Sequence, residues 1–304
     1  MATRSSSPFI MWVCLELNML MFLPVMSSES GLALENTIKY FLIQRWASIL
    51  FLIGTILSIV LDQAIFFIGV FRLMLKLGAA PFHGWFISIL KRSSILILML
   101  LSTLQKCIPL VIVANFNIPP YIMGPFLLTT LSVTFFRLPG TIRINKILAL
   151  SSIVNLGWFL VGVQHSLKVF FRFFTIYVIL LLRVVTLCTK HSVSSFRRLI
   201  SLRLMDKVGM VFVFISLGGL PPLLGFLGKL LILKSSLMYF NFIIMLVLVY
   251  RSLLVLYTYI SRLFFIITSG PTLKVGLKNS KISIKTSILC GSLARFNMMM
   301  IIPM

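Results

Sequence analysis

The chain has 304 residues, 60% of them hydrophobic, with 28 lysines and arginines against 5 aspartates and glutamates. A soluble domain is about 45–50% apolar, so this composition excludes a water-facing globule and implies a bundle of membrane-spanning helices. The basic residues are scattered among apolar runs and form no solvated stripe, which argues against a nucleic-acid binder.

In chain order, the apolar runs predict about ten spans of roughly 20 residues. Together they form a single all-α integral membrane domain over residues 1–304. The opening residues, MATRSSSPFI, lack the apolar segment of a cleavable signal peptide. The first span covers about 8–26 and carries Glu16 near its middle. A polar loop over 27–36 holds Glu29 and Glu35, and a second span follows at about 39–61. The third runs over about 64–80 and contains Lys76. Pro81, His83 and Gly84 then suggest an interrupted or interfacial segment, followed by basic Lys91 and Arg92. The fourth span, about 94–115, holds Lys106, and Pro109 should kink or break its helix.

Further spans are expected at about 121–138, 144–163 and 169–188, then a basic polar stretch at 190–207 read as a loop or surface helix. The next span has Gly209 near its interface, is broken by Gly218, Gly219, Pro221 and Pro222, and resumes through Gly225 to Lys229. Apolar sequence over about 237–267 exceeds one bilayer thickness and implies tilt or an interfacial extension. A polar loop at 270–285 and an apolar tail at 288–304 complete the chain.

Breaking a helix in lipid frees backbone groups that protein or water must satisfy. Transporters use such breaks to place polar groups at midplane. Simple helix packing also uses Gly and Pro, so the breaks gain meaning from the lysines beside them. Lys76, Lys106 and Lys229 each lie in or beside a long apolar run. A lysine at a helix centre costs about 2.5–3.5 kcal/mol on insertion scales, and its amine can hold or release a proton. Snorkelling of the long stem to the interface is the structural alternative. Glu16 is the acid inside the first span, and a lysine of another helix is its obvious partner. A neutral carboxyl bonded to a neighbouring helix would serve as well.

Cys14, Cys107, Cys188 and Cys290 are far apart and support no zinc, iron–sulfur or disulfide framework. His83, His165 and His191 lack metal-ligand spacing; His83, at a helix end, could relay protons but reads better as an interfacial or packed residue, and the other two read as loop residues. The sequence contains no recognised motif for NADH, flavin, haem or an iron–sulfur cluster.

Several strings occur in a telling order: WVCLELNM (12–19), KYFLIQRWAS (39–48), KLGAAPFHGWF (76–86), QKCIP (105–109), ALSSIVNLGW (149–158) and SLGGLPPLLGFLGK (216–229). Together they resemble mitochondrial NADH dehydrogenase subunit 2, from Trp12 to about Lys229, with KLGAAPFH and SLGGLPPLLGF the most specific. The resemblance implies an antiporter-like subunit of the membrane arm of respiratory complex I, a multi-pass protein of the mitochondrial inner membrane. It implies proton translocation driven by electron transfer from NADH to ubiquinone in other subunits. NADH, FMN, iron–sulfur clusters and ubiquinone are then expected elsewhere, with no cofactor in this chain. The expected partners are other membrane-arm subunits and lipid. The family's functional acid corresponds to Glu16, and its three lysines to Lys76, Lys106 and Lys229.

The chain also departs from the family. Only 15 residues precede Glu16, too few for the extra N-terminal helix of many members. Asn155 stands where a histidine is frequent, and Gly228 where proline is frequent. Two other readings share these features: a stand-alone cation/proton antiporter and a structural subunit that only supports assembly.

Two expectations concern charge. Glu16 and Lys76 should form a buried ion pair whose opening and closing couples proton movement to the rest of the complex. Arg45, Arg72, Arg172, Arg183 and Arg251 sit in apolar runs with too few acids to pair them. Some mitochondrial codes read AGA and AGG as serine, and serine suits all five positions.

Overall fold

A computed structural model describes residues 7–29, 33–60, 66–116, 123–130, 141, 143–191, 193, 195–236 and 242–268. The described residues are helical throughout their regular structure and contain no β-strand; one isolated bridge joins Arg143 to Ser195.

Helix α1 (Pro8–Ser27) carries its first proline in the opening turn, where a missing N–H is no loss. It buries Met11, Leu15, Met19, Phe22 and Met26 on one stripe, and turns Leu17 and Met21 outward. A lipid-facing helix is expected to be apolar on both faces, as this one is. Helix α2 (Ala33–Val60) begins earlier than the sequence reading placed it. The residues assigned to a loop up to position 36 are partly helical because Glu35 stabilises the first turn. Glu35 pairs with Lys39 one turn on and with Arg92 at 3.0 Å.

Three pairs of short helices follow the expected interruptions. Helix α3 (Phe66–Leu77) stops at Gly78, whose φ of +66° suits glycine, and α4 (Gly84–Arg92) resumes after the Pro81 turn. Helices α5 (Ile95–Ser102) and α6 (Leu104–Ala114) meet at Thr103, whose φ of −115° and ψ of −81° lie outside the helical range. The break therefore falls six residues before Pro109, which stays inside α6. The ring of a proline crowds the carbonyl of the residue four back, here Gln105, and the helical pattern is interrupted two residues before it.

Helix α7 (123–130) is the described part of the span expected at 121–138. Helices α8 (Ile144–His165) and α9 (Leu167–Lys190) turn at Ser166, whose hydroxyl accepts from Val169 N. A 3₁₀ turn (Phe196–Ser201) lies in the basic stretch, and α10 (Leu204–Gly218) starts within it. Helix α11 (Leu224–Ser236) follows the Gly-Pro break, and α12 (Phe242–Thr268) is the long apolar helix. At 1.5 Å per residue its 27 residues span about 40 Å, more than the apolar core of a bilayer.

Helix α8 is the post of the bundle. Its residues from Ile147 to Val163 are all buried, and α4, α5, α6, α9, α11 and α12 pack around it. Ser151, Ser152, Gly157 and Gly162 keep its surface small where neighbours approach. Helix α1 packs on α2 and α6, and α2 on α3, while α10 packs on α9 and α12. Among the described residues five segments, α1, α5 with α6, α8, α9 and α12, are long and apolar enough, by length and composition, to cross a membrane. The expected loop at 270–285, the tail at 288–304 and Cys290 lie outside the described residues.

Candidate functional site

Each of the three sequence-predicted lysines stands within two turns of a helix interruption. Lys76 is in the last turn of α3, Lys106 in the first turn of α6 and Lys229 in the second turn of α11. All three are buried, at 6%, 2% and 5% exposure, so none snorkels out of the protein.

Lys106 donates to the carbonyl of Ser152 at 3.1 Å and to its hydroxyl at 3.2 Å. Its ammonium also lies 4.5 Å from the centre of the Phe86 ring, a favourable place for a cation. Lys229 donates to the carbonyl of Gly218 at 2.8 Å. That carbonyl belongs to the open end of α10, where unpaired C=O groups and the helix dipole attract positive charge. Gly219 makes the approach possible. It caps α10 with a φ of +88°, and a Cβ there would lie 2.8 Å from the lysine nitrogen.

Lys76 and Lys106 border one cavity of about 10 Å³, room for a single water, between α1, α2 and α6. Its polar lining is a network that the sequence reading did not single out. Asn18 donates to Gln105 Oε1 at 3.0 Å, Tyr40 donates to the same oxygen at 2.8 Å, and Gln44 donates to the Lys76 carbonyl at 3.3 Å. The signal was present, since Asn18 lies two residues after Glu16 and Gln105 directly before Lys106. A polar residue inside an apolar run was read only where it could ionise. A second cavity of about 10 Å³ lies beside Lys229 and is bordered by Asn155 and Tyr177.

Glu16 is not within ion-pair distance of Lys76, although it lies close enough for its charge to act on the lysine. Its carboxylate lies 3.2 Å from Arg45 of α2, which takes the place assigned to Lys76. The reason is register: α1 and α2 pack side by side, and Arg45 faces Glu16 across that seam. Arg45 was one of the five doubted arginines, so at this position the doubt loses its ground. Arg172 is exposed and Arg183 half-buried on the outer side of α9, where a long side chain can extend along the helix. Arg72 and Arg251 are different. Arg72 is 5% exposed, its Nη1 is unpaired, and its guanidinium is pressed against Gly54. Arg251 is 0% exposed against Gly157, with Nε and Nη1 unpaired and a 3.5 Å contact from Nη2 to the Ile153 carbonyl.

His83 stands at the N-cap of α4 and is buried, His165 ends α8, and His191 caps α9 and lies 2.9 Å from Asp206. Among the described residues no group of three His, Cys, Asp or Glu side chains is close enough to hold a metal ion.

The family described as NADH:quinone oxidoreductase/Mrp antiporter, transmembrane, matches residues 55–255. NADH-ubiquinone oxidoreductase chain 2 of Anopheles gambiae is 31% identical over 274 residues, covering 86% of this chain and 80% of that protein. The same subunit of Artemia franciscana is 33% identical over 251 residues, covering 83% of this chain and 80% of that one. Among solved structures, a chain of respiratory complex I from Thermus thermophilus aligns with a TM-score of 0.78 at 18% identity, over 97% of this chain and 74% of that one. A chain of the Mrp complex from Dietzia aligns with a TM-score of 0.67 at 18% identity, over 90% of this chain and 58% of that one. The break after α10, the lysine that closes it and the sequence relatives agree: this chain belongs to the NADH-ubiquinone oxidoreductase chain 2 family, the antiporter-like membrane subunits of respiratory complex I.

Proposed function

We propose that the chain moves protons across the mitochondrial inner membrane along a buried line through Lys76, Lys106 and Lys229, with Glu16 and Arg45 at one end. The single domain formed by residues 1–304 supplies the path. Electron transfer from NADH to ubiquinone proceeds in other subunits, and this chain holds no redox cofactor of its own. The observation that carries the reading is the placement of three buried lysines at three helix interruptions, each beside a water-sized cavity.

The chemistry follows from what each group can do. A buried ammonium is costly in lipid and is retained where it works. Lys106 and Lys229 rest on carbonyl oxygens that hold the charged form, and among the described residues neither has a carboxylate within ion-pair distance. Each lysine therefore keeps a proton without being locked by a counter-charge. The cavities admit the water that receives it. Glu16, held by Arg45, gives the line a fixed negative charge near Lys76.

Lys106→Met in the assembled complex, reconstituted in vesicles, tests this. Assembly and NADH oxidation with the membrane made leaky should persist, while proton uptake per NADH oxidised falls. Normal uptake in a well-assembled variant would sink the lysine line.

A further inference from the structure

The lysine line leaves Tyr177 of α9 unused. Its side chain is 3% exposed, and its hydroxyl has no hydrogen bond of good geometry. A buried phenol normally finds a partner, and an orphaned one calls for a functional account. The hydroxyl lies within interaction range of Ser102 and Ser152. Ser152 is the residue on which the Lys106 ammonium rests. On its other side, Tyr177 borders the cavity that reaches Lys229, with Asn155 the further polar group in its wall. The ring is fixed by Phe159, 5.3 Å away between centroids in an edge-on arrangement. The C–O bond therefore keeps its place while the hydroxyl hydrogen is free to turn.

We propose that the Tyr177 hydroxyl, with Ser152 and a water beside Asn155, is the relay that carries the proton between Lys106 and Lys229. The inference rests on the lysine line proposed above. The transfer balances as a hop. The Lys106 ammonium gives a proton to the Ser152 oxygen as that hydroxyl gives its own to Tyr177. Tyr177 passes its original proton to the water, and the water delivers one to the neutral Lys229 amine. Lys106 ends neutral, Lys229 charged, and both hydroxyls whole. At rest the Ser152 hydroxyl donates to the Ala149 carbonyl at 2.7 Å, so it must swing toward Tyr177 for each transfer. A hydroxyl is suited to this because it donates and accepts at one atom.

Tyr259 provides the control. Its hydroxyl is as deeply buried, has no hydrogen bond of good geometry and lies near Ser151 and within electrostatic reach of Tyr177, but it borders neither lysine cavity. Tyr177→Phe, Tyr259→Phe and Lys106→Met are compared in the intact complex in vesicles, reading assembly, leaky NADH oxidation and proton uptake. Tyr177→Phe should assemble and oxidise NADH, yet take up protons at least about tenfold more slowly, below the usual span for loss of a proton-transfer group because water partly substitutes. Tyr259→Phe should pump normally. Tyr177→His, which again donates and accepts, should recover part of the rate. Normal uptake by Tyr177→Phe alongside failed uptake by Lys106→Met overturns the relay and leaves the lysine line intact. Normal uptake by both overturns both. Equal loss in the two phenylalanine variants marks a packing effect and overturns the relay. Should Tyr177→Phe not assemble, Asn155→Leu, which fills the cavity, decides: slowed uptake supports the relay and normal uptake overturns it.

Discussion

At the scale of single residues, the two buried arginines with unsatisfied guanidinium nitrogens make a chemical prediction. A buried guanidinium with unsatisfied nitrogens costs several kcal/mol after relaxation, and Arg72 and Arg251 each carry such nitrogens. Serine in their place would fit beside Gly54 and Gly157 and could bond a carbonyl within its own helix, as Ser252 does next to Arg251. The native protein should therefore carry serine at positions 72 and 251, seen in peptide mass spectrometry as missing tryptic cleavages at both. Arginine found at both positions would end the idea. Arg45, Arg172 and Arg183 are accommodated and should remain arginine. Sequence alone gave five candidates, because an apolar neighbourhood looks the same whether a side chain points at lipid, at a carboxylate or at the core. Burial separates them. The pairing of Glu16 was illegible for the same reason: distance along the chain says nothing about which basic residue faces it across a helix seam.

At the scale of helices, the seam between α1 and α2 is where charge does structural work. Glu16→Gln and Arg45→Ala should each loosen it, and a double-mutant cycle should show coupling of about 0.5–3 kcal/mol, the range for groups in direct contact. The cycle is read from thermal stability of the solubilised complex. Additive losses would mean that the pair is incidental. A second element-scale prediction concerns the α10–α11 break. A Cβ on Gly225 would strike the Ser216 carbonyl, a backbone atom that cannot move aside cheaply. Gly225→Ala should cost at least about 1–3 kcal/mol, as overpacking does, and lower the yield of assembled complex. The GGLPP string and the Pro81 turn revealed two of the three interruptions, because Gly and Pro act locally. The third was expected at Pro109, but the helical pattern breaks six residues earlier, at Thr103.

At the scale of the whole molecule, the chain is an antiporter-like membrane subunit of complex I, and the reading proposed above gives it a proton path and no redox step. The isolated subunit should show no flavin or haem absorbance and should not oxidise NADH; a stoichiometric chromophore in the purified chain would refute this. Composition alone made the membrane placement legible, because burying that many apolar side chains in water is impossible for a chain of this length. What composition could not show is which span sits innermost. Helices α8 and α9 read alike as apolar runs, yet 94% of the apolar window of α8 is buried against 44% for α9. That difference means the bilayer never touches the post of the bundle. A lipid-dissolved carbene reagent, activated by light, should tag α1 at Leu17 and Met21 and α12 at Leu253 and Tyr257, all outward-facing in this chain, and pass over α8 from Ile147 to Val163. The serine face on which Lys106 rests would then be as shielded from changes in lipid composition as the interior of a soluble enzyme is from its solvent.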